Sequence, residues 1–126
     1  VCVGEPMTID PDAIRLSGWA IEARINALSP GKVTRLEIPG GPGVRFDTFL
    51  FAGAIVSPHY DSMVGKLIAH DSDRPKALAR LLRALDELRI EGVPVNIDSQ
   101  RKILSNEIFK SGRFGTGLYA QLEAEL

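Results

Sequence analysis

Arg24 has the setting in which a side chain can do chemistry. It stands between Glu22 and Asn26 on the polar side of the alternating run Trp19-Ala20-Ile21-Glu22-Ala23-Arg24-Ile25-Asn26. A guanidinium is permanently charged and offers a planar fork of donors, suited to a carboxylate, a bicarbonate or a developing oxyanion. The same spacing suits a cross-strand ion pair, and spacing alone favours that structural role. Tyr60 and Asp61 follow Pro58 within Gly53-Ala54-Ile55-Val56-Ser57-Pro58-His59-Tyr60-Asp61-Ser62-Met63-Val64-Gly65-Lys66-Leu67-Ile68. They could hold a ligand, or Asp61 could fix the turn by bonding to its own backbone. Lys66 could pair with Asp61 or snorkel from an apolar sheet, with catalysis the minority reading. His59 and His70 lack metal-ligand spacing and a cysteine partner, so no metal site is expected. The cluster Gly40-Gly41-Pro42-Gly43 lacks the lysine and following helix of a phosphate loop. No Ser-His-Asp or paired-carboxylate arrangement is apparent.

The elements that must carry these residues fall into two halves. In the first, alternation over Trp19 to Asn26 predicts a strand with Trp19, Ile21, Ala23 and Ile25 on its apolar face. Ser29-Pro30-Gly31 predicts a turn. Lys32 to Ile38 alternates again, with Val33, Leu36 and Ile38 imperfectly in phase. After the turn Pro39-Gly40-Gly41-Pro42-Gly43, short strands are expected at Val44 to Asp47 and Phe49 to Phe51. In the second half, Leu78, Leu81, Leu82, Leu85 and Leu88 follow a helical period. Ser72 or Asp73 is its cap, Pro75 an early residue, and Gly92 and Pro94 its end. Asn96 is expected to cap a second helix reaching about Leu104, and Thr116 a third carrying Leu118, Tyr119 and Leu122. Strands first and helices afterwards give an α+β fold, with an antiparallel sheet and helices packed on it.

The chain has 126 residues, enough for a single domain with one core. Fifteen basic and sixteen acidic side chains nearly cancel, so no long-range field gathers nucleic acid or an anionic membrane, and neither partner is expected. No apolar run approaches a membrane span, and the first residues do not read as a signal peptide. The lone Cys2 fits a reducing compartment, the cytoplasm or an organelle matrix.

Several blocks, in order, carry a resemblance. They are Gly18 to Ala27, where the family reads Gly-His-Ala-Ile-Glu-x-Arg-Ile-Asn-Ala; Ser29-Pro30-Gly31-Lys32-Val33; Pro39-Gly40-Gly41-Pro42-Gly43-Val44-Arg45; and Tyr60-Asp61-Ser62-Met63-Val64-Gly65-Lys66-Leu67. Arg74, the leucine helix, Gly92-Val93-Pro94-Val95-Asn96-Ile97, Phe109 and Thr116 complete the pattern. Together they resemble the C-terminal domain of biotin carboxylase, the ATP-grasp component of biotin-dependent carboxylases. Three departures stand out. Trp19 replaces the usual His, Pro42 stands where some members place Phe at a dimer contact, and Leu28 joins Ser29 directly where the family has a longer loop.

The resemblance implies roles residue by residue. Arg24 would contact biotin and stabilise charge on its ureido oxygen as N1′ attacks the carboxyl group. Tyr60 and Asp61 would frame that site, Arg45 and Asp61 would lie at a homodimer interface, and Leu118 would close over the adenine of ATP. The intact enzyme would use biotin, on a carrier domain or protein, and Mg-ATP; neither is expected to bind this fragment tightly. Its partners would be an ATP-grasp domain, a biotin carboxyl carrier and a second copy. Residues 1–16 would be the linker from that ATP-grasp domain. The phosphate loop, magnesium-binding glutamates, bicarbonate arginine and catalytic glutamate of the family have no counterpart here, so the isolated chain is expected to be inactive. The resemblance also implies a cytoplasmic protein, or a mitochondrial one in a eukaryote, and leaves the acyl acceptor open. The alternative is a non-catalytic orphan module keeping only the fold and dimer surface.

Overall fold

A computed structural model describes residues 2–122. Val1, read as the start of the linker, and residues 123–126, the end of the single domain, lie outside the described residues. From Cys2 to Ala20 every residue is exposed, and one 3-10 turn, Pro11–Ala13, is capped by the Asp10 carboxylate.

The first strand, β1 (Trp19–Asn26), is as its alternation predicts. Ala23 and Ile25 are buried and Ile21 half-buried, while Trp19 stays exposed at the strand's start. Strands β2 (Gly31–Lys32) and β3 (Arg35–Glu37) replace the single strand expected over Lys32 to Ile38. The imperfect phase has a physical cause: the chain changes partner there. β2 pairs with β5 (Ile55–Val56), and β3 pairs with β7 (Arg89–Glu91). β4 (Val44–Thr48) is present, but Phe49 to Phe51 is not a strand. Thr48 ends the strand, its hydroxyl donating to the Val64 carbonyl at 2.6 Å and accepting from the Leu50 amide at 3.0 Å.

β6 (Met63–Asp71) is the centre of a three-stranded antiparallel sheet in the order β1-β6-β4. Ile25 faces Gly65 while Asn26 faces Met63, so Val64 is the extra residue of a β-bulge. The phase change lets both Val64 and Leu67 enter the core. Helix α1 (Arg74–Glu87) covers the inner face of the sheet with Leu78, Leu81 and Leu85. Asp73 caps it through the Lys76 amide, and Pro75 occupies its first turn. The helix stops at Glu87, not at Gly92, because residues 89–91 are taken up by pairing with β3.

α2 (Ile97–Ser105) starts after Asn96, although the Asn96 side chain makes no capping bond. An unforeseen α3 (Glu107–Ser111) is capped by Asn106 and closed by Gly112 at φ +70°, a backbone conformation that suits glycine. α4 (Leu118–Leu122) begins two residues after Thr116 and buries Leu118 and Leu122. The α+β class and the division into a strand half and a helical half hold, with β7 as the one strand inserted among the helices.

Candidate functional site

The outer face of the β1-β6-β4 sheet carries the polar residues that alternation sends away from α1. Register places them in rows. Arg24 faces Lys66, which faces Asp47; Glu22 faces Ile68, which faces Arg45. Arg45 grips Asp47 from two residues away on the same strand, with Nε to Oδ1 and Nη2 to Oδ2 both at 2.7 Å. This guanidinium holds the Asp47 carboxyl below the usual carboxylate range, helped by attraction from Lys66 and opposed by partial desolvation. The Arg45 pKa is raised in return.

Arg24 differs from Arg45. Its side chain is exposed and has no ion pair or hydrogen bond among the described residues. Its cross-strand neighbour is another cation, so the ion pair that spacing favoured is absent there. The backbone of Arg24, by contrast, is held tightly. Its carbonyl accepts from Asn96 Nδ2 at 3.2 Å and from Gln100 Nε2 at 3.1 Å. Asn96 also accepts from the Asn26 amide through Oδ1 at 2.8 Å, and its own amide donates to the Asn26 carbonyl at 3.1 Å. The Oδ1 atom of Asn26 is buried with no partner among the described residues.

Tyr60 and Asp61 lie in the turn entering β6, beside the end of β1, where the Ala27 amide donates to the Ser62 carbonyl at 2.8 Å. Asp61 Oδ1 accepts from the Met63 amide at 2.7 Å, which is the turn-fixing role. It does not pair with Lys66. Tyr60 is 85% exposed and lines an open groove of about 490 Å³ with Phe49, Ile55 and Met63. The structure therefore gathers Arg24, Lys66 and Arg45 on one face, with Tyr60 and Asp61 at its edge. Leu118 is in a different element, buried in α4. Asp47, Asn96 and Gln100 were not foreseen. Asn96 carries a residue type equally suited to capping, and nothing in its spacing distinguishes the two uses.

A family model described as the biotin carboxylase C-terminal domain matches residues 22–121. The biotin carboxylase of Allochromatium vinosum is 46% identical over 89% of this chain, which covers 26% of that relative. The solved biotin carboxylase subunit of a pyruvate carboxylase superposes with a TM-score of 0.91 at 34% identity, covering 97% of this chain and 29% of that one. The Campylobacter jejuni biotin carboxylase, solved as a β-γ-ATP complex, gives a TM-score of 0.87 at 34% identity, over 92% of this chain and 28% of that one. The chain thus spans about a quarter of the length of the curated relatives it matches.

Proposed function

The chain belongs to the biotin carboxylase C-terminal domain family, and from that premise we propose that it forms the C-terminal part of an ATP-dependent biotin carboxylase. In that enzyme Arg24 acts on biotin, the carboxyl acceptor, whose ureido nitrogen takes up the carboxyl group derived from bicarbonate. The observation that carries this reading is the unpartnered Arg24 guanidinium standing opposite Lys66. Two cations facing each other across strands are unfavourable for the free fold. An anionic or oxyanionic ligand relieves that cost, and a ureido oxygen gaining negative charge is such a group. Arg24 binds and orients this oxygen by its donor fork and lowers the energy of the charge as it develops.

The remaining residues have supporting roles. Tyr60 and the Asp61 turn frame the end of the Arg24 strand. The exposed Arg45–Asp47 pair offers a rigid, charged surface to a second copy, with Asp61 near the same interface. Leu118 supplies an apolar wall against the adenine of ATP. Among the described residues, no three His, Cys, Asp or Glu side chains converge on a metal site. Because the chain spans about a quarter of its relatives' length, we assign the binding of Mg-ATP phosphates to an ATP-grasp domain and expect the 126-residue chain to be inactive alone. No helix among the described residues is long and apolar enough to cross a membrane.

The test is ATP-dependent carboxylation of free biotin by the longer protein that carries this chain. Arg24→Ala is expected to lower kcat by about 10²-fold, in the range seen when an oxyanion donor is removed, with KM for ATP unchanged. Turnover equal to wild type removes Arg24 from the site. Carboxylation by the purified 126-residue chain overturns its assignment as an incomplete part.

A further inference from the structure

We propose that Asn96 and Gln100 are positioning residues for Arg24: through its carbonyl and the neighbouring Asn26, they set the place from which the guanidinium reaches the sheet's outer face. This rests on the reading of Arg24 as the group that meets the ureido oxygen.

β1 is an edge strand of its sheet, and an edge leaves a row of backbone groups without a ladder partner. At Arg24 and Asn26 these groups are satisfied by the segment 96–100. Four hydrogen bonds converge on two residues of β1, Arg24 and Asn26, from a region about 70 positions away in the chain. Asn96 and Gln100 are one helical turn apart, so their side chains share a face and both amides donate to the same carbonyl.

Two features make this more than a routine tie. An asparagine preceding a helix ordinarily turns back to bond an amide of its own first turn. Asn96 does not; both ends of its side-chain amide go to β1. The bulge at Val64 also interrupts the β6 ladder opposite Ile25 and Asn26. The register with β6 thus changes just after Arg24, and the helix side ties β1 down on both sides of that change. Arg24 has no side-chain partner to fix its aim, so its direction is inherited from its backbone. A small displacement of such a group is enough to slow a reaction.

The experiment uses the longer protein carrying this chain. Gln100→Met keeps side-chain length and removes one donor to the Arg24 carbonyl. Asn96→Asp keeps an acceptor for the Asn26 amide and replaces the other donor. Each is expected to lower kcat/KM for free biotin about three- to tenfold, the scale of one lost hydrogen bond, with KM for ATP unchanged and Tm lowered by only a few degrees. Wild-type kinetics in Gln100→Met overturns the proposal. So does a parallel rise in the KM values for biotin and for ATP, which marks a purely structural tie. If Asn96→Asp does not fold, Gln100→Met alone decides. Arg24→Ala is measured alongside. If it carboxylates biotin normally, the reading of Arg24 fails and this inference with it. If it is impaired while Gln100→Met is not, only the inference fails.

Discussion

Arg24 and Lys66 face each other across β1 and β6 as a pair of like charge. The Arg24 carbonyl is turned away from Lys66, toward Asn96 and Gln100. The two therefore form a non-hydrogen-bonded pair, the kind in which facing side chains approach most closely. Lys66 has Asp47 on its other side, but that carboxylate is already engaged by Arg45. Among the described residues the Arg24 guanidinium itself has no ion pair or hydrogen bond.

Replacing Arg24 should accordingly not destabilise the fold. Arg24→Gln removes one of two like charges that face each other across the strands, an unfavourable pairing. Urea unfolding is expected to show equal or slightly greater stability, with the largest difference at low salt. A loss above about 1 kcal/mol would mean the guanidinium has a structural partner.

Asp61 separates turn-fixing from ligand contact in one residue. Its Oδ1 accepts from the Met63 amide, and asparagine offers the same acceptor without the charge. Asp61→Asn should keep Tm, whereas Asp61→Ala should lose about 0.5–1.5 kcal/mol, the value of one hydrogen bond. Chemical denaturation of the two variants checks this. Equal losses would show that the charge, not the turn bond, holds the loop.

Legibility in the sequence followed the strength of local periodicity. Ile21, Ala23 and Ile25 mark the buried face of β1 by simple alternation, and the leucines mark α1 by their 3.6-residue period. Val33 and Leu36 slipped in phase because Val33 lies in the break between β2 and β3, two strands with different partners. Leu88 continued the helical period but caps the helix; the end is imposed by a distant strand, β3, which no local pattern reports. The polar face bearing Arg24 was legible. Its partner Lys66 was not, because register past the Val64 bulge depends on one extra residue. Asn96 does stand at the N-cap position expected of it, but its side chain answers to a strand some seventy residues earlier. Family motifs spanning nearly the whole chain carried the family, which periodicity could not.

The Asp47 and Asp73 carboxyls give the fold a defined acid limb. Asp47 is held low by its bonds from Arg45, and Asp73 by its bonds from the Lys76 side chain and amide. A depressed folded-state pKa contributes stability that is complete above the unfolded value of about 3.9 and vanishes as pH falls through the folded value. Asp47→Asn should thus differ from wild type by a constant amount from neutrality to about pH 5. The difference should shrink below about pH 4 and be reduced by salt, as both groups are solvent-exposed. Urea midpoints across this range test it; a gap that widens on acidification would contradict it.

Arg74 should decide whether the segment after α2 keeps its course toward Leu118. Its Nη1 donates to the Lys110 carbonyl at 2.7 Å and its Nη2 to the Phe109 carbonyl at 2.6 Å. Its guanidinium also lies 5.0 Å from the centre of the Phe109 ring, and that ring stacks on Phe114 at 5.0 Å. One planar cation thus satisfies two carbonyls at the end of α3 and packs on an aromatic face. α3 has five residues, too few to persist without such support. Arg74→Lys keeps the charge but cannot fork to both carbonyls. Bonds to a charged donor are worth about 1.5–3 kcal/mol. The substitution should therefore speed amide exchange in α3 by about tenfold or more and leave the amides of β6 protected as before. If α3 exchanges at the wild-type rate, its stability comes from elsewhere and Arg74 is not the clamp.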